Sequence, residues 1–150
     1  MQITTKNFGI VEYNPEDIIN FEDGIPGFEK LHSFLLLGMR SDDTPFRWLQ
    51  ALEDTDIAFA IIDPRIFKPD YFPDISEDII EALKIEDINH LLIYTIVVIP
   101  DEIEKMTANL KAPIIINAKN NKAMQLILDN EKYLIKHPIL EELKNAHTHA

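Results

Sequence analysis

Five histidines, three serines and a set of adjacent acid pairs are the residues of this chain best equipped for catalysis or metal binding. His147-Thr148-His149 has the look of a metal-ligand word, but it counts as one only with further ligands nearby, and a chain end is more often disordered. His32, His90 and His137 are scattered and share no ligand spacing. Ser33, Ser41 and Ser76 lie in no nucleophile-elbow sequence, and neither a phosphate loop nor a paired-histidine helix word occurs. The pairs Asp42-Asp43, Glu53-Asp54, Glu86-Asp87 and Asp101-Glu102 sit among solvent-type residues. Adjacent loop carboxylates point apart and stay ionised, whereas a general acid needs burial or a close like charge to raise its pKa. Cysteine is absent, which excludes disulfides, thiolate ligands and thiol nucleophiles. These patterns predict no catalytic residue, no metal site and no cofactor.

The elements that must carry any function are mostly short and apolar. Ile3–Thr5, Phe8–Tyr13, Asp17–Phe21, Ser33–Leu37, Phe46–Ala51, Ile57–Ile62 and Leu91–Ile99 read as strands, rich in β-branched and aromatic residues. Asn14-Pro15-Glu16 and Asp42-Asp43-Thr44-Pro45 mark turns. Three more strands are expected after Pro113, at Ile114–Asn117, Met124–Asp129 and Lys132–Ile135, with hairpin turns at Lys119–Lys122 and Asn130-Glu131. Ile79, Ile80 and Leu83 follow Ser76, Glu77 and Asp78 at helical spacing, so a helix with a serine N-cap is expected over 76–84. That helix would expose Glu77, Asp78 and Glu81. Ile139, Leu140 and Leu143 suggest a short amphipathic helix or a flexible tail over 138–150, with Pro138 in the first helical position. Strand-sized runs separated by turns indicate one mainly β domain over 1–150, a compact β-barrel-like fold with one or two short helices.

Composition narrows the partners. The chain carries a net charge of −12, concentrated in residues 70–105, where ten acids face only Lys84 and Lys105. Residues 106–150 are instead slightly basic, with six lysines against four acids. Such a chain repels nucleic acid and anionic lipid and favours a basic protein partner. The N-terminus lacks the apolar core of a signal peptide, and the longest apolar run, Leu91 to Pro100, is too short to span a bilayer. A cytoplasmic protein with no membrane segment is expected.

Several words are unusual enough to compare with known families. Phe21-Glu22-Asp23-Gly24-Ile25-Pro26-Gly27-Phe28-Glu29 describes a stiff turn, with Gly24 and Gly27 free to take positive φ and Phe21 and Phe28 placed to pin its two ends into a core. Phe46-Arg47-Trp48-Leu49-Gln50, Phe59-Ala60-Ile61-Ile62-Asp63-Pro64 and Lys68-Pro69-Asp70-Tyr71 follow in order. Then come Val97-Val98-Ile99-Pro100, Met106-Thr107-Ala108-Asn109-Leu110-Lys111-Ala112-Pro113-Ile114-Ile115-Ile116-Asn117, and Gln125-Leu126-Ile127-Leu128 with Tyr133. This succession resembles the flagellar assembly factor FliW family.

The resemblance implies a non-enzymatic regulator of flagellum biogenesis with a β-barrel-like fold. It implies flagellin as a chaperoned partner and the translational repressor CsrA as a second one, sequestered so that repression of flagellin mRNA is relieved. From the residues themselves, Gly24, Pro26, Gly27, Phe28, Asn109 and Pro113 are expected to build backbone and hold the fold. Partner contact is assigned to the aromatic loop residues Phe67, Tyr71 and Phe72 and to the acids Glu77, Asp78 and Glu81. Gln125 is expected to satisfy buried backbone groups. An alternative from a different class is a small β-barrel that binds a ligand in a pocket of Phe46, Trp48 and Gln50. A hydrolase using Asp or Glu with a divalent metal is a third.

Overall fold

Seven strands hydrogen-bond in a closed circuit. In the computed structural model, which describes residues 1–38 and 45–148, β1 (Gln2–Thr5) and β2 (Gly9–Glu12) form a separate antiparallel hairpin. The circuit itself comprises β3 (Ile19–Phe21), β4 (Ser33–Leu37), β5 (Arg47–Ala51), β6 (Ala58–Ile62) and β7 (Leu91–Val98). After β7 come β8 (Thr107–Ala108), β9 (Ile114–Asn117), β10 (Lys122–Gln125) and β11 (His137–Pro138). β3 to β7 pair in sequence order, β7 pairs β9, β9 pairs β10, and β10 returns to β3. That last pairing, Lys122 with Asn20 and Ala123 with Phe21, is the parallel one. β8 extends β7 beyond the ring, and β11 pairs with β8. Ser41, the Asp42-Asp43 pair, Thr44 of the expected turn and His149 lie outside the described residues.

Period-two alternation divides the apolar residues between two cores. Phe21, Phe34, Leu49, Ile61, Tyr94, Ile114, Ile116 and Ala123, contributed by all seven strands of the ring, fill the barrel interior. A ring of this size has an interior that side chains alone can fill. The neighbouring positions Ala60, Ile62, Leu91, Val97 and Ile115 point outward into a second core. The chain between β6 and β7 and the segment after β10 cover it with Phe67, Tyr71, Leu83, Leu126, Leu128, Tyr133 and Ile139. β9 is therefore buried on both faces, which explains its unbroken run of isoleucines.

α1 (Glu77–Ala82) is shorter than expected, and Ser76 flanks it without a side-chain cap. Its C-terminal end is held instead by the barrel. The buried Asn117 donates from Nδ2 to the carbonyls of Leu83 (3.0 Å) and Lys84 (3.2 Å), and Asn120 Nδ2 also donates to Leu83 (3.0 Å). α2 (Leu140–Thr148) begins two residues after Pro138, which lies in β11 rather than at the helix start. Leu140 and Leu143 pack it onto the second core.

Four further expectations are corrected. Asp17 belongs to a 3-10 turn over Pro15–Asp17, so β3 starts at Ile19. β10 ends at Gln125 rather than Asp129, because the chain turns to bond with residues 111–113. Lys132–Ile135 is not a strand. Asn130-Glu131 is a local turn in which Asn130 Oδ1 accepts from the Lys132 amide, not a hairpin connection.

Tyr71 is fully buried and donates from its hydroxyl to the Leu110 carbonyl at 2.7 Å, with the Tyr133 ring 4.7 Å away. Burial, and secondarily Tyr133, pushes its pKa well above the ordinary tyrosine value. Tyr94 is shifted the same way by burial, partly opposed by Arg47, which donates to its hydroxyl at 3.0 Å. Both tyrosines hold their protons more tightly in the folded chain than in the unfolded one. Their contribution is therefore complete below about pH 10, the unfolded value, and is lost as pH rises above it. Tyr71→Phe, which leaves the Leu110 carbonyl without its donor, is expected to cost about 1–3 kcal/mol at neutral pH. Urea unfolding at pH 7 and pH 11 checks this: the gap between wild type and variant should narrow at the higher pH.

Candidate protein-docking groove

The turn after β3 is rigid because its backbone leaves no freedom. The Gly24 amide bonds to the Phe21 carbonyl (3.0 Å), Phe28 to Ile25 (2.6 Å) and Leu31 to Phe28 (3.0 Å). Gly24 has φ +71°, and a Cβ there would come within 2.7 Å of the Glu29 Cα. Gly27, at φ +88°, faces open space. The amides of Glu29 and Gly27 bond to the Glu29 carboxylate and hold its pKa below the ordinary glutamate value. Phe21 is buried at one end, as expected, and Ile25 is buried with it. Phe28 is not: it is 39% exposed and presents its ring edge-on to Phe59 at 5.1 Å.

A second rigid piece faces this turn. Between β8 and β9, residues 109–113 run outside any ladder, yet most of their backbone groups are bonded. The Asn109 amide donates to Ile96 (2.9 Å), and the Leu110 amide donates to Leu134 (3.0 Å). The carbonyls of Lys111 and Pro113 accept from Leu128 (2.8 Å) and Leu126 (2.9 Å). The Ala112 amide donates to Asn109 Oδ1 (3.1 Å), and its carbonyl accepts from Gln125 Nε2 (2.9 Å). Pro113 stands where no amide donor is needed.

Between these two pieces lies a groove of about 470 Å³. It is lined by Ile25, Pro26 and Phe28 of the turn, by Phe59, Ile96, Val98 and Thr107 of the strands, and by Asn109, Lys111, Ala112, Gln125, Ile127, Ile135 and Lys136. Val98, Ile127 and Ile135 are each 60% exposed or more. Exposed apolar residues gathered around a groove mark an interaction surface rather than scattered surface hydrophobes. A second, smaller cavity of about 240 Å³ lies behind the same turn, lined by Glu22, Asp23 and Glu29 together with Ala82 and Leu83 at the end of α1. Pro26 and Gln125 line both.

The expected site residues are distributed differently from the sequence reading. Phe67 and Tyr71 are core residues, 5% and 0% exposed, because the loop after β6 folds its rings onto the outer face of the barrel, so neither offers a contact surface. Phe72 is 77% exposed. Glu77, Asp78 and Glu81 lie exposed on α1 and form no ion pair with any described residue. Gly24 and Pro113 hold backbone, whereas Pro26, Phe28 and Asn109 do so and line the groove as well. Gln50 is fully buried; its Nε2 donates to the carbonyls of Ala51, Thr55 and Ile57, while its Oε1 has no hydrogen-bond partner among the described residues. Trp48 packs against Phe8 and the second core. Among the described residues no group of three or more acids and histidines could hold a metal, and no helix is long and apolar enough to cross a membrane.

The two words that build this groove are those with the most specific spacing in the chain, and a family model described as FliW protein matches residues 2–139. The chain belongs to the FliW family. Among its relatives, the flagellar assembly factor FliW of Thermoanaerobacter pseudethanolicus is 73% identical over the full length of both chains. That of Caldanaerobacter subterraneus subsp. tengcongensis is 65% identical, also over the full length of both. A crystal structure of the flagellar assembly factor FliW superposes with a TM-score of 0.86 at 36% identity, covering 93% of this chain and 96% of the other. The mainly β barrel with two short helices is thus the FliW fold.

Gly24→Ala is expected to lower stability by about 2–4 kcal/mol, from a positive φ together with a backbone clash. Gly27→Ala, strained only in φ, should cost about 1 kcal/mol. Denaturant unfolding of both variants measures the difference, and equal costs would show that the contact with Glu29 is not what demands glycine at position 24.

Proposed function

We propose that this FliW-family protein acts in the cytoplasm as a flagellin-binding chaperone and as an antagonist of CsrA, and that it is not an enzyme. The observation that carries the proposal is the open apolar groove between the Gly24–Glu29 turn and residues 109–112. An assembly factor has to hold a client segment that is apolar until it is buried in a polymer, and a groove is the form in which a folded domain receives such a segment. The groove's most specific words are also those by which the chain resembles its family.

Antagonism of CsrA draws on the opposite chemistry. An RNA-binding repressor presents a basic surface, and the exposed carboxylates of Glu77, Asp78 and Glu81 on α1 complement it. Bound there, they would disfavour RNA phosphates close by through like-charge repulsion. With two partners competing for one scarce protein, flagellin export would release the factor to sequester the repressor, and mass action would set the output.

Calorimetric titration with the flagellin and CsrA of the same source, singly and in competition, tests the proposal. Binding to each is expected, with flagellin displacing CsrA; binding to neither would overturn it. Reversing charge at Glu77, Asp78 and Glu81 to lysine should weaken CsrA binding and flatten its salt dependence. Unchanged affinity at low and high salt would remove α1 from the contact.

A further inference from the structure

The charged residues lining the groove run against the charge of the chain. The sequence holds 26 acids and 14 lysines and arginines, yet among the described residues no acid lines the groove, and its charged members are Lys111 and Lys136. Neither lysine forms an ion pair with any described residue. Two polar atoms of the lining are held within the wall itself: Asn109 Oδ1 accepts from the Ala112 amide, and Gln125 Nε2 donates to the Ala112 carbonyl. Among the described residues lining the groove, its charge is supplied by the two lysine ammonium groups, set in a largely apolar surface. The groove is also too open for a small molecule, which a ligand pocket encloses on most of its surface: Val98, Ile127 and Ile135 remain largely exposed beside it. A second copy of a chain carrying −12 would be repelled on approach.

We infer that the groove selects an apolar polypeptide segment that carries carboxylates beside its apolar residues, seated with those carboxylates at Lys111 and Lys136. This rests on the reading that the groove receives flagellin, and it adds the rule by which the segment is chosen and oriented. The apolar side chains cover Phe28, Val98, Ile127 and Ile135, and the lysines make the groove attractive to an acidic segment that the rest of the surface repels. The same rule draws the two partners to adjoining surfaces that share Pro26 and Gln125. A basic protein is drawn to the acids of α1 and to Glu22, Asp23 and Glu29 of the smaller cavity, whereas an acid-flanked apolar segment is drawn to the groove.

The test is calorimetric titration of flagellin and of CsrA into the wild-type protein, the double variant Lys111→Glu/Lys136→Glu and the single variant Ile127→Asp. All three altered side chains lie at the surface or only half buried, and circular dichroism verifies that the variants are folded. The lysine double variant is expected to lose about tenfold in flagellin affinity in about 0.05 M salt and clearly less in about 0.5 M salt, with CsrA affinity unchanged. Flagellin binding that is insensitive to the lysines but weakened by Ile127→Asp would overturn the charge rule and spare the groove. Flagellin binding that is insensitive to both changes, or absent from the wild type, would overturn the groove reading itself. An equal loss of CsrA and flagellin affinity in the lysine variant would overturn the separation of partners by charge.

Discussion

Residues 109–113 run between β8 and β9 with no ladder of their own, and their buried backbone polar groups still need partners. Partners come from five places in the chain: the β7 carbonyl of Ile96, the Tyr71 hydroxyl, the Gln125 amide, the amides of Leu126 and Leu128, and the carbonyl of Leu134. Satisfying this one stretch brings the loop after β6 against the barrel, ends β10 at Gln125 and fixes the course of the chain toward β11. Removing any partner would strand a buried polar group, so the stretch works as a hub whose spokes also define the groove wall.

The barrel strands are legible in the sequence because they are short runs rich in β-branched and aromatic residues bounded by turn residues, and the register divides such runs between two cores. The run Leu91–Ile99 could be read as a long strand for that reason, and Ile114–Asn117 for its β-branched content. β8 and β11, at two residues each, carry no period to detect. Residues 126–135 look like strands by composition, yet their hydrogen bonds go to the hub rather than to a neighbour in register. Composition does not record where a backbone amide is aimed.

Site residues were legible unevenly for a related reason. Glu77, Asp78 and Glu81 could be placed on an exposed helical face, since period and charge agree. Phe67 and Tyr71 could not be separated from Phe72: an aromatic in a proline-rich loop reads the same whether it folds inward or outward, and only the Leu110 carbonyl waiting for a hydroxyl decides it for Tyr71. The groove was not visible at all, because Phe28, Phe59, Val98, Asn109, Ile127 and Ile135 come together from distant parts of the chain. Ile127 and Ile135 carried a partial signal, as bulky apolar residues in stretches flanked by turn-type and charged ones.

The ring of seven strands has a consequence for a protein that displays a sticky surface. A domain that keeps an apolar groove open in water risks joining copies of itself, most readily through unpaired strand edges. Closing the barrel by the β10–β3 pairing withdraws those edges within the ring, and the surplus of carboxylates over the rest of the surface keeps approaching copies apart. Colloidal stability and the open apolar groove are thus assigned to different parts of one small fold, so the groove can stay uncovered without its being a seam between copies.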